Sequence, residues 1–196
     1  MNKQLIKKLE ILKQKDIDAV NNLLSDGKLY GQYDKELQKI HTENALELDE
    51  IISIYGWPTL SKVGLEGTRL AWLIAQHSIC TPVLQRKFFK ILCEECKKGE
   101  VPKRQVAFLS DRIRFNEGRP QIYGTILDWD EKGEFSCEIE DPDNLDVLRK
   151  DVGLPPFKEY IKKSKKEITI AGGQPPENYL EYQSNVEEWA KNLGWR

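Results

Sequence analysis

Residues 101–125 read VPKRQVAFLSDRIRFNEGRPQIYGT, and the hydrophobic period changes inside this stretch. Pro102 opens a helix over about 102–117, with Val106, Leu109 and Ile113 spaced to face inward, and Gly118 ends it. Past the Gly118-Arg119-Pro120 corner, Gln121–Leu127 reads as a strand. Glu134–Ile139 reads as its partner, and Asp130-Glu131-Lys132-Gly133 is the turn between them. These pieces predict a β-hairpin over about 120–140. If that strand alternates, Gln121, Tyr123 and Thr125 share a face.

Upstream of this corner the apolar spacing is helical throughout. Leu5, Leu9, Leu12, Ile17 and Val20 mark a helix over 2–24, stopped by Ser25-Asp26-Gly27. A second runs from Gln32 to Tyr55, with Gly56 at the expected C-cap. Trp57-Pro58 breaks the chain, and Thr59 or Ser61 is placed to cap the third helix. Residues 64–78 form that helix, the most apolar one, with Leu70, Leu73, Ile74 and His77 on one face. Thr81-Pro82 opens a fourth helix, over about 81–98. Downstream, a short helix starts at Asp141-Pro142-Asp143, Phe157–Lys163 adds a turn or two, and Ile168-Thr169-Ile170 reads as extended. Residues 171–176 read as a linker, and Glu177–Leu193 as an amphipathic helix. The fold class is α+β, mainly helical: five N-terminal helices, one hairpin and short C-terminal helices. Residues 1–170 are expected as a single domain, with the helix of 177–196 appended.

The chain has 30 basic and 32 acidic residues, a formal charge of −2. That leaves no positive excess to neutralise a phosphate backbone, so a dedicated nucleic-acid binder is disfavoured. No apolar run approaches the roughly 20 residues that span a bilayer, and the N-terminus lacks a signal-peptide apolar region, so neither membrane nor export is expected. Cys80, Cys93, Cys96 and Cys137 fit reduced thiols in a cytoplasmic protein. Cys93 and Cys96 form a CxxC, but no second pair completes a zinc site, so no metal is assigned. No nucleotide-binding, zinc-protease or hydrolase motif is present, and the cofactor is unknown.

From Gly56 to about Tyr160 the chain resembles a bacterial family called domain of unknown function 6624. The residues that carry the likeness are Gly56-Trp57-Pro58, Gln76-His77, Asp111-Arg112, Asn116-Glu117-Gly118-Arg119-Pro120-Gln121-Ile122-Tyr123-Gly124-Thr125, Glu140-Asp141-Pro142, and Gly153-Leu154-Pro155-Pro156 with Tyr160. The chain departs from the pattern at Ile126, where Gln is expected, and after Gln76-His77, where a small residue and an acid often come next. The resemblance implies a shared fold and a shared site, and no reaction.

Candidate chemistry falls on the same motifs. His77 suits general acid–base work near neutral pH, set against a core histidine on an apolar face. Asp111 is placed either to orient His77 or an arginine, or to pair with Arg114 one turn on. Tyr123 is the third catalytic candidate. Gln76, Arg112, Glu117, Arg119, Gln121 and Thr125 are candidates for substrate binding, since the planar fork of arginine suits phosphate or carboxylate. His41, beside Thr42-Glu43-Asn44, reads as solvated. The leading expectation is a hydrolase or transferase acting on a small polar substrate, anionic or nucleotide-like. The alternatives are a ligand-binding or sensing domain without chemistry, and a protein-interaction module of a toxin–immunity or phage-defence kind. In the last, a partner would meet Trp189 and Trp195 on the C-terminal helix.

Overall fold

The computed structural model describes residues 1–26 and 33–196. The expected stop at Gly27 and helix start at Gln32 lie outside these. The described residues form a mainly helical α+β protein of eight helices and one two-stranded antiparallel hairpin. Two compact units divide the chain, Met1–Leu109 and Ser110–Arg196.

In the first unit, α1 (Lys3–Ser25), α2 (Lys35–Tyr55), α3 (Leu60–His77) and α4 (Pro82–Lys97) follow the helical spacing closely. The side chain of Asn2 accepts from the Leu5 amide, and that of Asp34 from the amides of Glu36 and Leu37, so both helices begin on an acceptor for orphan N–H groups. Gly56, at φ +69°, ends α2. Thr59 precedes α3 without a side-chain capping bond, and Gly64, at φ +71°, interrupts its first turns. Leu9, Leu48, Ala71, Phe88 and Leu92 are fully or almost fully enclosed, and Trp57 packs against Phe88.

Buried amides tie these helices together. Asn44 Nδ2 donates to the Leu12 carbonyl, tying α2 to α1 at 3.0 Å. Gln85 Nε2 donates to the carbonyls of Ala75 and Gln76, at 2.7 and 3.2 Å, which satisfies orphan acceptors at the end of α3. These bonds set the positions of Asp16 and His77, each within about a turn of a clamped carbonyl. No described helix is long and apolar enough to cross a membrane.

In the second unit the hairpin is shorter and further along than the alternation implies. β1 is Asp128–Trp129 and β2 is Phe135–Ser136, paired Asp128 with Ser136 and Trp129 with Phe135. Residues 121–127 are not a strand; only Gln121 makes an isolated parallel bridge, to Ile139. The alternating face therefore does not exist: Gln121 and Thr125 are buried and Tyr123 is half-buried. Helix α5 (Lys103–Asn116) ends just before this loop, and α6 (Leu145–Asp151), α7 (Phe157–Ile170) and α8 (Tyr179–Leu193) come after it. Ile168-Thr169-Ile170 is the last turn of α7 rather than an extended piece. Trp195 is buried, so it belongs to the interior rather than to a partner-facing stripe, and Trp189 is half-buried.

Gly124 sits in the loop at φ +61°, and a Cβ there would lie 2.6 Å from Phe157 Cε2 and 2.9 Å from Ile139 Cδ1. Both the dihedral and the space demand glycine. Gly124→Ala is expected to destabilise the second unit by about 2–4 kcal/mol, combining left-handed strain with overpacking. Urea denaturation checks this, and an unchanged midpoint would refute it.

Candidate functional site: a carboxylate shared by two imidazoles

Asp16 lies on the stripe Leu5, Leu9, Leu12, Asp16, the buried face of α1. Spacing of four, three and four puts its carboxylate where a core aliphatic would normally sit. Two imidazoles meet it. His41 Nε2, from α2, is 2.9 Å from Oδ1, and His77 Nδ1, from the last residue of α3, is 2.8 Å from Oδ2. The Lys13 ammonium, one turn back on α1, also pairs with Oδ2. The rings of His41 and His77 are 5.0 Å apart and tilted by 44°.

The hydrogen bonds assign the tautomers. An ionised carboxylate only accepts, so His41 carries its proton on Nε2 and His77 on Nδ1. His41 Nδ1 is then an acceptor, and the Tyr33 hydroxyl donates to it. Burial pushes the Cys80 thiol up, and the nearby Tyr33 hydroxyl offsets part of that rise. His77 Nε2 is the remaining lone-pair nitrogen, and no described residue is bonded to it. The His77 side chain is 31% exposed, against 3% for Asp16 and 8% for His41.

These contacts set the electrostatics. Burial alone would raise the Asp16 carboxyl, but the hydrogen bonds from His41 and His77, the charge of His77 and the bond from Lys13 outweigh it and hold Asp16 far below the usual carboxylate range. Burial lowers His77 below its ordinary value, partly opposed by the hydrogen bond and charge of Asp16. The resting state is therefore a carboxylate beside a neutral imidazole. Asp16, His41 and His77 also form a group whose donor atoms lie within 4.8 Å of one another, the kind of set that holds a metal ion. Lys13 already brings a positive charge to Asp16, and N–H groups occupy both carboxylate oxygens, so proton chemistry fits the donor set better.

The other expected site residues divide between the units. Gln76 is buried in the first, with Nε2 donating to the Phe108 carbonyl at 3.3 Å, and so packs rather than presents itself. Asp111 is fully buried in the second. Its oxygens accept from the amides of Ile122, Tyr123 and Thr125 and from Thr125 Oγ1, at 2.9 to 3.2 Å. Arg149, also fully buried, takes the other side of the same loop. It donates Nη1 to the carbonyls of Tyr123 and Gly124 and Nε to that of Pro155, with its guanidinium over Phe157 and Tyr160. The Tyr160 hydroxyl donates to the Thr125 carbonyl at 2.7 Å. Gln121 closes the loop on itself, bonding both the N–H and the C=O of Ile126. Asp111, Gln121, Thr125 and the backbone of Tyr123 thus form a clamp that folds the loop.

Arg114 reaches Glu140 and the Pro120 carbonyl, and Arg119 grips the Glu117 carboxylate through two nitrogens. Arg112 is half-buried, and its charge offsets part of the burial-driven rise of the Tyr160 phenol. Burial pushes the Cys93 and Cys96 thiols up, so neither is an activated thiolate.

The residues that sequence reasoning missed are Lys13, Asp16, Tyr33 and His41. A signal existed for two of them: a carboxylate and a histidine each stand in line with a buried apolar stripe. His41, read as solvated, lies one turn from Leu37 and Ala45 and is 7% exposed.

The class is thus a mainly helical α+β protein with a buried carboxylate holding two histidines. Residues 30–170 match the family described as Family of unknown function (DUF6624), and the chain belongs to that family. No curated protein and no solved structure matches the chain.

Proposed function

We propose that the protein is an enzyme, a hydrolase or transferase of a small polar substrate, with His77 as its general base and acid. The observation that carries this reading is the 2.8 Å bond between His77 Nδ1 and a buried, ionised Asp16, which leaves the Nε2 lone pair on a side chain that is partly exposed. In this role Nε2 takes a proton from an attacking water or hydroxyl, Asp16 stabilises the imidazolium, and Nε2 returns the proton to the leaving group. His41, held by Tyr33, is a positioning residue that fixes the Asp16 carboxylate. The free thiols of Cys80, Cys93, Cys96 and Cys137 suit work in a reducing, cytoplasmic setting.

The test is turnover of a panel of carboxylic esters, phosphate esters and nucleotides by the wild type and His77→Ala. His77→Ala is expected to lose about 10²–10⁴-fold in rate on any substrate that turns over. The wild-type rate should fall as pH drops through the lowered pKa of His77, because protonation removes the base. Turnover that survives His77→Ala unchanged, or no turnover of any panel member, would overturn the proposal.

A further inference from the structure

The second unit contains a cleft of about 590 Å³, within the range of small-molecule pockets. It is formed by the end of α5, the hairpin and α8. Four aromatic side chains line it, Phe115, Trp129, Tyr179 and Tyr182, together with the carboxylates of Asp128 and Glu138. Arg119, Arg196 and Glu187 complete the charged lining.

The two cations are already neutralised. Arg119 is held by Glu117 through Nε at 2.8 Å and Nη2 at 2.5 Å. Arg196 pairs with Glu187 and donates to the carbonyls of Asn116 and Phe115. The lining carboxylates of Asp128 and Glu138 have no ion-pair partner among the described residues. Asp128 takes the Tyr182 hydroxyl and the Trp129 amide on the same oxygen, Oδ1. No described residue is bonded to its Oδ2, and none to the exposed Glu138 carboxylate. The fixed phenol and amide orient Asp128, so the free oxygen is preset rather than mobile. The field of Asp128, Asp130 and Glu131 also reaches Tyr179, whose phenol is pushed up by burial and by these three acids.

An uncompensated carboxylate pair with aromatic faces is the complement of a cation, since ring quadrupoles and carboxylates attract the same charge. The anionic ligand expected from Arg119 has no free guanidinium to meet it here. We infer that this cleft binds a small organic cation, an alkylammonium or guanidinium compound, on Asp128 Oδ2 and Glu138 against Trp129, Tyr179 and Tyr182. The inference does not depend on the role of His77.

The test titrates the full chain with choline, putrescine and free arginine, and with AMP and inorganic phosphate as anionic controls. Binding is followed by calorimetry and by tryptophan emission, and Trp129→Phe identifies the reporting ring. At least one cation is expected to bind saturably, and the anions not. Glu138→Gln and Asp128→Asn should each weaken that cation about tenfold or more. Glu138 is exposed, so its variant folds as the wild type does and keeps the test valid if Asp128→Asn disturbs the hairpin. Absence of saturable cation binding, preferential binding of AMP or phosphate, or unchanged affinity in Glu138→Gln would overturn the inference.

Discussion

Asp16→Asn is expected to cost the first unit about 3–5 kcal/mol and to move the His77 titration further down. The carboxylate receives His41 Nε2–H, His77 Nδ1–H and the Lys13 ammonium. An amide offers one acceptor oxygen and turns a donor NH₂ toward the remaining donors, leaving at least one buried polar group unmatched. The second effect comes from His77 itself. Burial lowers its pKa, and the bond and charge of Asp16 are what raise it back. Without the charge, burial acts with less opposition. Histidine ring NMR through a pH series, together with urea denaturation, measures both effects. A His77 midpoint that does not fall in Asp16→Asn would sink the assignment of Asp16 as its orienting carboxylate.

The same linkage gives the wild-type pH dependence. Asp16 is held below the usual carboxylate range, so its stabilisation is present above that range and is lost as pH falls through it. His77 is also lowered. Its unfolded form takes up a proton from about pH 6.5 downward while the folded form resists, so folding again weakens on acidification. The two contributions have the same sign.

The second large effect is expected at Asp111. Asp111→Asn should destabilise the second unit by about 2–4 kcal/mol, and Asp111→Ala by at least as much, because every contact of the carboxylate is with a donor. The three amides of residues 122, 123 and 125 and the Thr125 hydroxyl all donate to this carboxylate. An Asn places a donor against one of them. A loss of this size lowers the melting temperature of a unit of this length by on the order of 10–20 °C. Asp111 also carries the opposite pH sign from Asp16. Burial pushes it up, with the bonds from Thr125, Ile122 and Tyr123 recovering only part, so ionisation in the folded state costs stability as pH rises through its raised value. Thermal unfolding of Asp111→Asn at pH 5 and pH 8 tests this. Equal melting of variant and wild type would refute the clamp.

Much of the helical fold was legible because period-3.6 burial is written into the chain. Leu5, Leu9 and Leu12, or Leu37, Ala45 and Leu48, mark faces that the helices do bury. The hairpin was harder. Residues 121–127 alternate like a strand, but only Gln121 bridges a neighbouring segment; the backbone of 122–125 bonds Asp111, Arg149 and Tyr160 instead, and side-chain alternation does not distinguish the two. Ile168–Ile170 has strand-like β-branching, yet it closes a 14-residue helix, where continuation of the helix overrides local preference.

The site was half legible. His77 stood out as one of two histidines. The motifs offer Asp111 as its partner, whereas the carboxylate that binds it comes from a position 61 residues earlier on α1. Ile17 falls on the apolar spacing yet is 39% exposed, and its neighbour Asp16 is the inward residue. A rule that charged residues lie outside hides the residue most worth finding, since a buried charge persists only with partners that neutralise it.

The paired imidazoles look symmetric around Asp16, but they are chemically unequal. His41 has both ring nitrogens engaged, one by Asp16 and one by Tyr33, while among the described residues His77 has only Nδ1 engaged. To any electrophile that must attack an unprotonated ring nitrogen, this protein with two histidines offers a single target.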